Sequence, residues 1–227
     1  MNAPGLFPAP ANWLAGAHIA IVVSVQDPLR SARVQVQMVA ADPDDLAPIW
    51  ARVAVPYAGN DFGAFLIPGV GDEVLVLFPA GDSSQPIVIG SMWNGKNAVP
   101  ETLPGNAVDR WTLTGRNGTR IAIIEKANGK ETVEISTPKG ATATLTDEAG
   151  GRIKLKVGSN SITMGSSGIA IKTGSTFSVK AATVTIEASS VDVKTALATF
   201  SAAVDCKTLN ATAITSTSYS PGAGNVW

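Results

Sequence analysis

The side chains able to do chemistry in this chain of 227 residues are few, with a single histidine, His18, and a single cysteine, Cys206. Zinc sites built on imidazole and Ser/His/Asp triads therefore have almost nothing to draw on, and no disulfide can close within the chain. His18 opens an apolar run and reads as a structural residue. Asp42, Asp44 and Asp45 crowd around Pro43 without the ligand spacing and central glycine of a calcium loop, and read as a solvated turn. Asp72 and Glu73 are adjacent, so on a strand they point to opposite faces and cannot flank one glycosidic bond. Trp50, Tyr57, Phe62 and Trp93 could stack nucleotide bases, but few Lys or Arg accompany them to follow a phosphate backbone. They read as core and subunit packing. No catalytic residue, cofactor or metal site is expected.

Composition points the same way. Charged residues make up 15% of the chain, net charge is −1, and 45% of residues are apolar. The balance supplies a core but no electrostatic footprint for nucleic acid. No Lys or Arg precedes Arg30, so a secretory signal is not expected. The longest apolar run, His18 to Val25, is far shorter than the roughly 20 residues of a membrane helix.

Four zones follow along the chain. Residues 1–17 form an arm interrupted by Pro4, Pro8 and Pro10, which limit both helix and sheet pairing. Residues 18–95 hold five short runs of strand type, including ARVQVQMV, where apolar and polar residues alternate. Five strands in so short a span suit a Greek-key barrel of the OB type better than a sandwich. Residues 96–152 contain a Pro- and Asn-rich linker, then a hairpin, RIAIIEK and ETVEIST, turning at Asn128-Gly129.

Residues 153–227 are a repeat. Pairs of apolar residues two apart recur as Ile153/Leu155, Ile162/Met164, Ile169/Ile171, Phe177/Val179, Val184/Ile186, Val191/Val193 and Val204/Cys206, amid Thr, Ser, Gly and Ala. A coiled coil would space its apolar residues by three and four among helix formers, so these are strands. A coil of a single-chain β-helix must hold three strands, and a period of about seven to nine residues supplies one strand and a corner. The prism closes only if other copies provide the remaining faces. The expected fold is all-β: an OB-fold barrel followed by a C-terminal intertwined triple-stranded β-helix in a homotrimer. Cys206 would bring three thiols to the axis, where it reads as a small buried hydrophobe.

Residues 49–100 carry a dense set of ordered elements: Trp50-x-Arg52-Val53, Ala58-Gly59, Gly63, Pro68-x-Val70-Gly71-Asp72-Glu73-Val74, Asp82 with Gln85-Pro86, and Gly90-Ser91 leading to Asn94-Gly95. This stretch resembles the OB domain shared by baseplate assembly protein V of contractile-tailed phages and by the VgrG spikes of type VI secretion. The repeat zone is similar in style to their triple-stranded shafts. The resemblance implies a central spike of a contractile injection machine, a phage tail, tailocin or relative, that pierces a target envelope and performs no catalysis. It implies a place in the virion tail baseplate or an extracellular injection particle, assembled in the producer cytoplasm. VgrG proteins carry a hub ahead of the barrel, so a separate trimeric hub is expected to dock the apolar arm through Leu6, Phe7, Trp13 and Leu14. The interval before the shaft is too short for the lysozyme domain of some phage spikes. Related self-sharpened spikes end in a His-x-His iron site, and no histidine follows His18. A PAAR-like tip protein seated on Tyr219, Pro221, Asn225, Val226 and Trp227 is expected instead. The competing readings are a β-helical tailspike that degrades polysaccharide, with only Glu187, Asp192 and Asp205 as shaft carboxylates between residue 153 and the tip, and an OB-fold nucleic-acid binder.

Overall fold

The computed structural model describes residues 16–39 and 47–218. The arm up to Ala15, the Asp42–Asp45 cluster and the tip residues expected above lie outside them, while Ala17, assigned to the arm above, opens the first strand. The described residues up to Thr176 form one unit and those from Phe177 another.

Alternation builds the barrel. Ala17–Ser24 (β1), Val34–Met38 (β2), Ile49–Val53 (β3), Glu73–Leu77 (β6) and Ile87–Met92 (β7) close in the order β1-β2-β3-β7-β6, with β3 and β7 parallel and the other pairs antiparallel. These are the five strands expected from the sequence, closed as a five-stranded Greek-key barrel, so no edge is left open. In β2 every second residue, Val34, Val36 and Met38, is buried, while Gln35 and Gln37 are partly exposed. Ala20, Val22, Ala51, Val74, Val76, Phe78 and Val88 complete the core. Most of these are small β-branched residues, as the narrow interior of five strands demands. A two-residue hairpin, Ala58–Gly59 (β4) with Phe62–Gly63 (β5), projects between β3 and β6, an element too short to show as alternation.

The loop from β1 to β2 is organised by Asp27. Its carboxylate accepts the backbone N–H of Leu29 at 3.1 Å and of Ser31 at 2.8 Å. It also takes the Arg33 guanidinium at 2.7 and 3.1 Å. That guanidinium, first among several donors, holds the carboxyl well below its usual range. Arg33 in turn lies 5.6 Å from the centroid of the Trp50 ring, a cation–π contact.

Arg110–Thr114 (β8), Arg120–Glu125 (β9), Glu131–Ser136 (β10), Thr142–Thr146 (β11), Arg152–Val157 (β12), Asn160–Gly165 (β13) and Gly168–Lys172 (β14) form one antiparallel meander in chain order. The hairpin expected at Asn128-Gly129 is the β9–β10 turn, where Lys130 N–H donates to Ala127 at 3.0 Å. The meander runs through residue 152 without a break, so the first three apolar pairs of the repeat fold back as hairpins within the chain instead of winding onward. Glycine decides this. Each of the six connections has a glycine in or bordering it with positive φ, namely Gly118, Gly129, Gly140, Gly150, Gly158 and Gly168, which lets the chain reverse at little steric cost.

No glycine occurs between Gly174 and Gly222. From Phe177 to Ser218 the backbone carries isolated bends and forms no strand pairing with any described residue. Bends at Ala182, Ser189 and Ala196 are seven residues apart, and those at Lys207, Thr212 and Thr217 are five apart.

Candidate functional site

Register assembles the site. Because paired residues of adjacent strands share a face, Trp111 aligns with Ile123, Val133, Leu145, Ile153, Met164 and Ile169 in one row across all seven strands. Leu113 aligns with Ile121, Ile135, Ala143, Leu155, Ile162 and Ile171 in a second row. At about 4.8 Å per strand the rows run roughly 30 Å. The face carries two apolar side chains per strand and, among the described residues, has no covering layer. Trp111 is 54% exposed, Ile123 47% and Ile169 71%. Nothing of this kind survives uncovered in an ordinary soluble monomer.

The sequence-derived shaft residues Ile153, Leu155, Ile162, Met164, Ile169 and Ile171 thus sit together on this face. Phe177, Val179, Val184, Ile186, Val191, Val193, Val204 and Cys206 belong to the extended second unit and are exposed. The residues missed are those of β8–β11: the apolar face begins at Trp111, well ahead of the expected start of the shaft. The signal was present as Trp-x-Leu, Ile-x-Ile and Val-x-Ile, of the same two-apart type. Leu209 and Ile214, which continue the extended segment at the five-residue spacing, were missed as well.

The opposite face of the sheet begins with an ion cluster that ties the linker to the strands. Glu101 receives Arg120 Nε at 2.7 Å and Nη2 at 3.2 Å, and Arg110 Nη1 at 3.3 Å. Arg110 also chelates Asp109 at 2.8 and 3.0 Å, and Arg120 reaches Glu134 at 3.0 Å. Hydrogen bonds from Arg120, more than any other cause, hold the Glu101 carboxyl down at about 2, against an ordinary 4.5. All of these side chains are largely shielded, so screening weakens the cluster less than it would an exposed pair.

The barrel's candidate groups do not converge. Tyr57 and Phe62 line a groove of about 520 Å³ together with Phe65, Ile67 and Arg52. Trp50 is engaged by Arg33, and Trp93 lies exposed just past β7. Asp72 accepts the Gly69 N–H at 2.7 Å, while Glu73 accepts Asn94 Nδ2 at 2.9 Å. These neighbours serve two turns and are not a catalytic pair. His18 packs edge-on against Phe78 at 5.6 Å. Asp192 is held by Lys194 at 3.1 Å.

Comparison with known proteins matches the barrel and a later segment that begins in β10 and runs into the second unit. Residues 18–93 match the type VI secretion system/phage-baseplate injector OB domain, and residues 132–198 match the phage baseplate V C-terminal trimerisation domain. The type VI secretion system spike protein VgrG4b of Pseudomonas aeruginosa is 38% identical over 94 residues, which is 40% of this chain and 12% of that protein. VgrG5 of the same organism is likewise 38% identical over 94 residues, with the same coverage. The spike protein VgrG3 of Vibrio cholerae is 46% identical over 55 residues, 24% of this chain and 5% of that protein. The matched stretch is therefore about an eighth or less of the length of these relatives.

Proposed function

From a chain whose matched segments are an injector OB domain and a baseplate V trimerisation domain, we propose that it is the central spike of a contractile injection machine. It works as a homotrimer, seated under a trimeric hub and driven through a target envelope, with a mechanical and not a catalytic role.

The observation that carries this reading is the apolar sheet face. Three copies set around an axis bury their two-row faces against one another and close a prism. Its outer surfaces are then the polar faces, rich in Thr, Ser and Lys. Covering a half-exposed aliphatic side chain returns about 1 kcal/mol. Two per strand over seven strands amounts to about 14 kcal/mol per protomer, comparable with the whole stability of a domain. The segment beyond Thr176 supports the same state. Lacking the glycines that reverse a chain, its strands find backbone partners only in other copies, which is the intertwined β-helix. Its shortening repeat, from seven to five residues, narrows the perimeter that three chains can enclose.

In this reading the arm residues Leu6, Phe7, Trp13 and Leu14, with the barrel, dock the hub, and a PAAR-like protein caps Tyr219 to Trp227. The particle is the baseplate of a phage tail, tailocin or secretion machine. The decisive measurement is mass in solution by light scattering. A trimer is expected, and a Leu155→Asp variant, placing three unpartnered carboxylates inside the prism, is expected to run as a monomer with its barrel still folded. A monomeric wild-type chain would sink the spike reading.

A further inference from the structure

The outer face of the sheet treats its cations in two ways. On β8–β10 both arginines, Arg110 and Arg120, are neutralised by Glu101, Asp109 and Glu134. On β12–β14 the same face presents Arg152, Lys154, Lys156 and Lys172, all exposed and, among the described residues, none engaged in an ion pair or side-chain hydrogen bond. Their cross-strand neighbours carry no charge. Arg152 lies opposite Thr146 and Gly165, and Lys154 opposite Thr144 and Thr163. Lys156 lies opposite Thr142 and Ser161, and Ser161 opposite Lys172. The carboxylates closest in sequence, Asp147 and Glu148 of the β11–β12 turn, form no ion pair with Arg152.

Arg152, Lys154 and Lys156 repeat every second residue of one strand, so like charges stand about 7 Å apart. Their mutual repulsion, only partly screened by salt at this distance, is relieved further by an anion from outside. In a trimer the patch occurs three times, giving a basic girdle on a chain whose net charge is −1.

Resting on the trimeric spike reading, we infer that this girdle binds the phosphate headgroups of anionic phospholipid in the membrane that the spike enters. Charge complementarity carries the choice of partner, since each cation near an anionic bilayer adds to attraction that decays within a Debye length. The spaces between the cations hold Thr, Ser, Gly and Ala, so the face has no aromatic platform for stacking bases. The girdle is flat and polar. It therefore holds the surface of a bilayer without requiring insertion.

The test is co-sedimentation of the full-length chain with vesicles of phosphatidylcholine alone, or of phosphatidylcholine mixed with phosphatidylglycerol. Binding to the mixed vesicles only, abolished by high salt, is expected. The variant Arg152→Gln, Lys154→Gln, Lys156→Gln, Lys172→Gln is expected to remain trimeric by light scattering and to bind at least about tenfold more weakly. A control removing four cations elsewhere, Arg30→Gln, Lys96→Gln, Lys130→Gln and Lys139→Gln, is expected to bind as wild type. Equal binding to both vesicle types, or wild-type binding by the girdle variant, overturns the inference. Retention on duplex DNA by a trimer that leaves anionic vesicles in solution makes the patch a nucleic-acid site and overturns the lipid assignment. A monomeric chain that still binds anionic vesicles through these four residues keeps the patch and sinks the spike reading.

Discussion

Glu101 is one of several carboxyls, Asp27 and Asp109 among them, that are held below their ordinary range and through which solution pH acts on the described fold. Its carboxyl titrates at about 2 in the folded chain and near 4.5 without its partners. A depressed carboxylate contributes its stability in full above the unfolded value and loses it as pH falls through the folded one. The linker clamp is therefore expected to weaken between about pH 4.5 and 2, by about 1–2 kcal/mol after screening. Glu101→Gln is expected to reduce that dependence, measured as the change in unfolding midpoint across this window, with Asp27 and Asp109 supplying the remainder; a variant that retains the full wild-type slope would assign it to those other acids. In the barrel, Val76 is fully buried. Val76→Ala leaves a cavity that narrow neighbours cannot fill, and about 2 kcal/mol is expected to be lost in denaturant unfolding of the barrel.

Among the elements, the meander depends on its turns as much as on its strands. Gly150 has φ of 81°, and a Cβ added there meets nothing within 4 Å. Gly150→Ala is therefore expected to cost about 1 kcal/mol from backbone conformation alone, with the oligomer unchanged by light scattering. A dissociated trimer in that variant would mean that the turn itself contacts another copy. The glycine-free segment after Gly174 gives the contrasting case. Nothing there favours a hairpin, so its alternating apolar residues gain no partners from their own chain.

On the scale of the whole molecule, the proposed trimer makes stability and assembly the same event for the sheet and the extended segment, while the barrel carries its own closed core. Resistance to SDS and heat is expected to reside in residues 153–227. Val184→Asp or Ile186→Asp puts three charges near the proposed axis, where each costs several kcal/mol without a partner. Loss of the SDS-resistant band with a preserved barrel transition is expected. An equally resistant trimer would show that these side chains face outward.

Much of this was legible along the chain because strand alternation and turn chemistry are local. The barrel's five strands, the Asn128-Gly129 hairpin and the apolar pairs from Ile153 could all be read from residue types and spacing. The ordered elements of residues 49–100 pointed to the OB domain that the comparison matches. What alternation cannot carry is register, because the same two-apart pattern is satisfied whichever strand becomes the neighbour. Only the tertiary structure aligned Trp111 with Ile169 through five intervening strands, making one continuous face from segments that had looked like a linker, a hairpin and a shaft. It alone brought Glu101 to Arg110 and Arg120, since ion pairs across such separations depend on where the linker is laid down. The same placement left Arg152, Lys154, Lys156 and Lys172 bare: their neighbours in space are hydroxyls and glycine from other strands, and no reading of the chain in order brings those side by side.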